Sequence, residues 1–435
     1  MQTRALSCCV FVALAIAWTT AQTSRPVLFE GARIITGERR PPIEDAAFVV
    51  DAGRIRAVGM RGKLTSPGAT VVDLRGKTVM AALVDAHSHL GYIDMRAGTT
   101  SSANYTQGNL IDHLHRYAYY GIAATLSLGL DRGELPYQLR AAPAPNAALF
   151  RTAGRGIAMP NAGPNAEYWR DAAYGVTTEA QARQAVRELA ARKVDIVKIW
   201  VDDRNKTVTP LSPALYRPII DEAHSKGLRV VAHVYYLADA KELLRAGIDG
   251  FAHGIRDLDV DEEILGLFKQ RPQVFVIPNL PDTAPSIADL DWLSETLPPQ
   301  QIAALKATAL AAPPRPRLFE VQARNLAKLK AIGVRIGFGT DAGVGGPYGF
   351  SAHTELADMV ATGMTPAETI IAATRTSAEI MGLDQLGTIA AGKSADFIVL
   401  DANPLEDIKN TRKIAQVYLR GTVVDRAALR TAWTR

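Results

Sequence analysis

The sequence predicts an α/β fold: a (β/α)8 TIM barrel carrying a small composite β-sandwich domain formed by both termini. Three observations lead there. Between residues 80 and 382, short apolar runs alternate with longer segments of helical period, the signature of parallel strands joined by helices. Eight such runs can be counted, and eight strands closing on themselves suit a stretch of about 300 residues. Both ends of the chain instead carry short β-rich segments broken by turns, which suggests one small domain assembled from 26–79 and 383–431.

The first segment lies outside this fold. Arg4 precedes an apolar run from Cys8 to Trp18, followed by small residues at Thr19-Thr20-Ala21. That is the pattern of a secretory signal over 1–21, and the apolar run is short for a membrane span. The expectation is an exported protein, periplasmic or secreted, with no membrane contact after signal removal. Both cysteines, Cys8 and Cys9, lie in this segment, so the mature chain holds no disulfide.

From Pro26 the β signals are Val27–Ile35, Ala47–Ile55 and Thr70–Leu74, with Asp51-Ala52-Gly53 as a hairpin turn. The eight barrel runs then centre on Leu83–Leu90, Ala123–Leu130, Ala148–Gly154, Val194–Trp200, Arg229–Tyr235, Gly250–Gly254, Val274–Asn279 and Arg335–Asp341. Helical stretches such as Thr178–Ala191, Pro213–Lys226, Leu237–Ala246, Leu318–Ala331 and Pro366–Met381 fall between or after them. Ala395–Leu400 and Ile414–Val424 return to the β pattern. Hydrophobic residues make up 48% of the 435 and charged residues 21%, an ordinary globular balance. The net charge of +5, or +4 without Arg4, is not clustered, which gives no reason to expect nucleic acid as a partner. A small-molecule substrate is expected, and assembly into a homo-oligomer is left open.

In a parallel barrel the chemistry sits where strands end. The first run ends Val84-Asp-Ala-His87-Ser-His89, and residues two apart on a strand share a face, so both imidazoles can reach one metal. His113 and His115 have the same spacing but lie in a helical pattern. There two positions turn the side chain by roughly 200°, and they read as packing or surface residues. Lys198 lies near the end of the fourth run among apolar neighbours. Taken alone it is better read as a lysine whose head reaches a carboxylate or solvent. The sharper alternative is a carbamate formed with CO2, an anionic ligand able to bridge two metals. His233 ends the fifth run, His253 the sixth, and Asp341 the eighth between Gly339 and Gly343. His224 and His353 read as structural.

Together these six residues form one convergent set. Imidazoles and carboxylates hold divalent ions while leaving positions open for water and substrate. Two such ions would acidify a bridging water and polarise a scissile carbonyl, and Asp341 would orient that water and pass its proton to the leaving group. Zinc suits the set, as do manganese, cobalt and iron.

The order His-x-His, Lys, His, His, Asp resembles the amidohydrolase superfamily, in particular its binuclear imidazolonepropionase-like and Xaa-Pro dipeptidase-like branch. The resemblance also covers Gly121-Ile-Ala-Ala-Thr, Asp195-Ile-Val-Lys-Ile, Gly339-Thr-Asp-Ala-Gly, Gly363-Met-Thr-Pro-Ala-Glu and Leu386-Gly-Thr-Ile-Ala-Ala-Gly-Lys. It implies an N6-carboxylysine at Lys198, reversing the isolated reading, and two divalent ions, with Zn2+ preferred. It further implies hydrolysis of an amide or peptide C–N bond, in a dipeptide or N-acyl amino acid. Ala81-Ala82 stand where such proteins usually carry Pro-Gly. The alternatives are a lactone, ester or cyclic amide hydrolase using the same site, and an exported metal-binding protein without turnover. Tyr235, two past His233, and Arg256 are candidate substrate contacts. The aromatic residues of two loops, Tyr168, Trp169 and Tyr174 in Ala158–Tyr174 and Trp292 in Leu280–Pro316, read equally as pocket lining or as ordinary loop packing.

Overall fold

Alternating apolar positions in Val27–Ile35 and β-branched residues in Ile43–Asp51 pair these segments antiparallel, with Phe29 opposite Phe48. The computed structural model describes residues 25–164, 167–280, 287–311, 317–344 and 346–434; the expected signal at 1–21 lies outside them. Ile43–Asp51 turns back into Arg54–Met60 through Ala52 and Gly53, both at positive φ (47° and 74°), as a tight two-residue hairpin requires. Val27–Ile35 also pairs in parallel with Thr70–Asp73 and Thr78–Ala81. The far end of the chain completes the sheet. Phe397–Leu400 lies antiparallel to Thr78–Ala81, and Ile414–Leu419 and Thr422–Val423 follow outward. One face buries stacked aromatic pairs, Phe29 on Phe48 (ring centroids 4.7 Å) and Phe397 on Tyr418 (4.5 Å).

The central segment is α/β with parallel strands in two arcs. Leu149–Thr152, Ile122–Ser127 and Leu83–Ser88 form one. Ile157–Ala158, Val197–Val201, Val230–Val234, Gly250–Ala252, Phe275–Ile277 and Arg335–Ile336 form the other, in that order. All eight predicted runs become strands or strand ends, and every residue of Val197–Val201 is buried, as expected of strands covered on both faces. The ladder does not close into a single ring. Between the third and fourth runs the short strand Ile157–Ala158 intervenes, and the Asp195 carboxylate accepts from the Thr152 amide (2.8 Å) where a strand partner would stand.

At the other junction the eighth run leaves strand geometry after Ile336 yet stays bonded to the first. Ala86 N donates to Phe338 O (2.9 Å), and Thr340 N and Asp341 N both donate to His87 O (3.0 and 2.8 Å). Gly339 allows this approach: a Cβ there would stand 2.6 Å from His87 Cβ. Helices cover the arcs with their apolar faces. Glu179–Ala191 is typical, started by a Thr178–Gln181 capping box and burying Ala182, Ala185, Val186 and Leu189. Among the described residues, no helix is long and apolar enough to cross a membrane.

Candidate metal centre

His87 lies on the strand Leu83–Ser88 and His89 just beyond it, and the pleat turns both rings to one side. Their Nε2 atoms are 3.3 Å apart, and Asp341 Oδ1 is 3.4 Å from the first and 3.0 Å from the second. The ligand atoms of His87, His89 and Asp341 thus lie within 4.8 Å of one another. Donors about 2 Å from one ion in tetrahedral array are about 3.3 Å apart, so this triad fits a divalent ion. His87 Nδ1 is 2.7 Å from the Asn279 side-chain oxygen. That oxygen only accepts, so Nδ1 carries the proton and Nε2 keeps its lone pair for a metal.

His253 and His233 continue the row of rings, with centroids 4.9 Å from His87 to His253 and 4.6 Å from His253 to His233. His253 Nδ1 is buried with no hydrogen-bond partner among the described residues. A buried, unsatisfied donor atom of this kind suits a ligand the protein expects. His233 Nε2 is 3.0 Å from Asp202 Oδ2, which leaves Nδ1 as its free ring nitrogen. Lys198 is almost fully buried, and its charge acts on His87, His233, His253 and Asp341. The chain therefore gathers all six expected residues in one region, the His87–His89–Asp341 triad at one end and the His233–His253 pair at the other.

The electrostatics follow from burial and from this company. Burial pushes the Lys198 ammonium down to about 7, opposed by the Asp341 carboxylate and reinforced by Arg256. Burial alone would raise Asp341, yet His87, His89 and Lys198 hold its carboxyl well below the usual range. Burial also lowers His233 to about 4, so its imidazole is neutral at neutral pH and able to ligate. Beneath the triad, Asp85 accepts from Thr340 Oγ1 (2.6 Å) and the His87 amide (3.1 Å), tying the two ligand-bearing segments together.

Three residues here have positive φ, a region uncommon for residues other than glycine: His253 (φ 111°), Asn279 (42°) and Asp341 (54°). Such strain gathers at functional sites. Sequence reading missed Asn279 and Asp202. The available signal was their place, since each is the polar residue closing an apolar run.

The expected substrate contacts divide. Arg256 stands near enough for its charge to act on Lys198, His233 and His253. The strand ends at Val234, so no pleat aims Tyr235, whose ring packs edge-on against Tyr236 (4.9 Å). Trp169 reaches the site, its ring 6.3 Å from His89, and packs with Tyr168 on Tyr92. Tyr174 instead lies under the Arg155 guanidinium (4.1 Å), and Trp292 packs on Tyr120, Phe350 and His353. Those two are structural.

The remaining histidines also serve packing. His113 stacks on Tyr348 (3.7 Å) and bonds Ile93 O, while His115 bonds Pro145 O on another face of the helix Gln107–Tyr119. His224 pairs with Asp249, and His353 with Thr411 and the Tyr120 carbonyl.

Parallel strands that bring His87, His89, Lys198, His233, His253 and Asp341 to one region fit a metal-dependent hydrolase of the α/β class. Residues 147–424 match the amidohydrolase family, and the chain belongs to it. It is 27% identical over 433 residues to ochratoxinase from Aspergillus niger, covering 90% of this chain and 84% of that protein. Imidazolonepropionase from Deinococcus radiodurans is 28% identical over 400 residues, covering 87% and 92%. A solved Xaa-Pro dipeptidase with bound methionine superposes with a TM-score of 0.72 at 21% identity, covering 92% and 99%, and shares the fold.

Proposed function

We propose that this chain hydrolyses the C–N bond of a dipeptide or N-acyl amino acid, using two divalent ions, zinc in our reading, held by His87, His89, Lys198, His233, His253 and Asp341. The observation that carries the reading is the buried triad of His87, His89 and Asp341, whose donor atoms stand at the spacing of metal ligands. When bound, the ions supply an acidified water and a Lewis acid for the scissile carbonyl. Asp341 then takes the proton of the attacking water and delivers it to the leaving nitrogen. Its Oδ1 stands 3.4 and 3.0 Å from the His87 and His89 imidazoles, which places the carboxylate at the ligand site itself. Lys198, pushed down to about 7, offers an unprotonated amine to CO2 near neutral pH. The carbamate that forms releases one proton and leaves an anionic oxygen ligand. Arg256 supplies a cation for a substrate carboxylate.

The same reading includes closure of the two arcs into an eight-stranded barrel beside a β-sandwich, and export by removal of residues 1–21. Similarity to a protein named imidazolonepropionase supports a second substrate class, a cyclic amide.

The test is turnover of the zinc-loaded protein on dipeptides, N-acyl amino acids, cyclic amides, lactones and aryl esters. Dipeptides or N-acyl amino acids are expected to be cleaved, and Lys198→Ala and Asp341→Ala to lose at least about 10²-fold in kcat while staying folded. Full activity in either variant defeats the mechanism. Bound zinc without hydrolysis of any compound would instead identify a metal-binding protein.

A further inference from the structure

The chain leaves the strand Val197–Val201 through Asp202 and Asp203 and then enters an unusual turn. Arg204, Asn205 and Lys206 have φ of 49°, 56° and 65°, three successive non-glycine residues in the left-handed region. L-residues visit that region singly and at an energetic penalty, so a run of three persists only where its surroundings hold it. Here they do. Thr207 N and Val208 N donate to Asp203 O (2.9 and 3.1 Å), Lys206 N to Asp203 Oδ1 (3.1 Å), and Thr207 Oγ1 to Arg204 O (2.8 Å).

The turn is fastened to its surroundings at three points. Asp202 Oδ1 accepts from Arg204 N (2.8 Å), while its Oδ2 meets His233 Nε2 at 3.0 Å. Asp203 Oδ1 accepts from Tyr236 OH (2.8 Å), bracing the same strand end that carries His233. The Arg204 guanidinium donates to Gly163 O, in the segment leading to Trp169. An ionised carboxylate can only accept, so its contact with Nε2 fixes the proton there and leaves the His233 Nδ1 lone pair for an ion.

We propose that Asp202 is a positioning residue for the metal centre, selecting the tautomer and orientation of His233, and that the left-handed turn Arg204–Lys206 holds its carboxylate in place. This rests on the two-ion reading above and assigns the turn a role in how tightly the ion at His233 is bound.

The test is zinc titration against a chromophoric chelator, with imidazole 15N spectra of the metal-free protein. Wild-type protein is expected to bind two ions and to show His233 protonated at Nε2. Asp202→Ala is expected to weaken one ion about 10–100-fold, leave the other unchanged, and give a mixture of His233 tautomers. Asp202→Asn keeps an acceptor oxygen and is expected to restore affinity to within a few-fold of wild type. Wild-type affinity for both ions in Asp202→Ala, or an asparagine variant as weak as the alanine one, overturns the proposal. So does an Nδ1-protonated His233 in wild-type protein, which needs no variant to fold. Absence of any zinc binding by wild-type protein would defeat the two-ion reading itself.

Discussion

Asn279 supports a candidate ligand without being one. Its side-chain oxygen accepts a hydrogen bond from His87 Nδ1–H at 2.7 Å, and its own backbone is left-handed (φ 42°). Asn279→Ala is expected to weaken zinc binding about 10–100-fold with little change in the melting midpoint, measured by chelator competition and thermal unfolding. The candidate ligands, which the fold brings into one region, were legible in the sequence, because residues two apart on a strand share a face and polar residues ending apolar runs stand out. The supporting residues also stand at run ends, but which ligand each one supports was not legible. Nothing local in Val276-Ile-Pro-Asn279 says that its amide meets a histidine from the first strand, since that pairing exists only after the chain closes. The positive φ of His253 and Asp341 is likewise imposed by tertiary hydrogen bonds, such as His253 N to Ile277 O (2.8 Å).

At the scale of elements, eight runs were predicted as strands from their apolar pattern, and each holds a strand. What the pattern could not show is where the ladder is interrupted, because side chains and turns take over the pairing there. The eighth run is the clearest case. Its contact with the first strand depends on Gly339, where a Cβ would stand 2.6 Å from His87 Cβ. Gly339→Ala is therefore expected to push the two ligand-bearing segments apart. It should destabilise the protein by about 1–3 kcal/mol in urea unfolding and lower zinc affinity at the same time. If either property changes without the other, the junction does not couple them.

The helix Phe350–Ala361 carries a second testable element. His353 is buried between Thr411 and the Tyr120 carbonyl, and burial lowers its imidazole from 6.5 to about 3. The folded protein therefore keeps it neutral where the unfolded chain would protonate it. Its contribution is fully present above about pH 6.5 and is lost as pH falls from there toward about 3. His353→Gln is expected to flatten that part of the stability profile, measured as the urea midpoint against pH in metal-free protein.

For the whole molecule, the sheet drawn from both chain ends is an independent source of stability. Phe397 stacks on Tyr418 and meets Phe29 and Phe48 edge-on (5.3 and 5.1 Å). Phe397→Ala is expected to cost about 3–5 kcal/mol while leaving the kcat of the folded fraction unchanged, since none of these rings touches the metal ligands.

That sheet also dictates when the protein can first exist as a folded object. Thr78–Ala81 pairs with Val27–Ile35 early but gains its second partner only with Phe397–Leu400, and His87 meets Asp341 only through the eighth run. A ribosome must therefore release most of the polypeptide before either the catalytic centre or the sheet can assemble. Shorter nascent chains hold open strand edges and half a ligand set, the condition in which aggregation competes with folding.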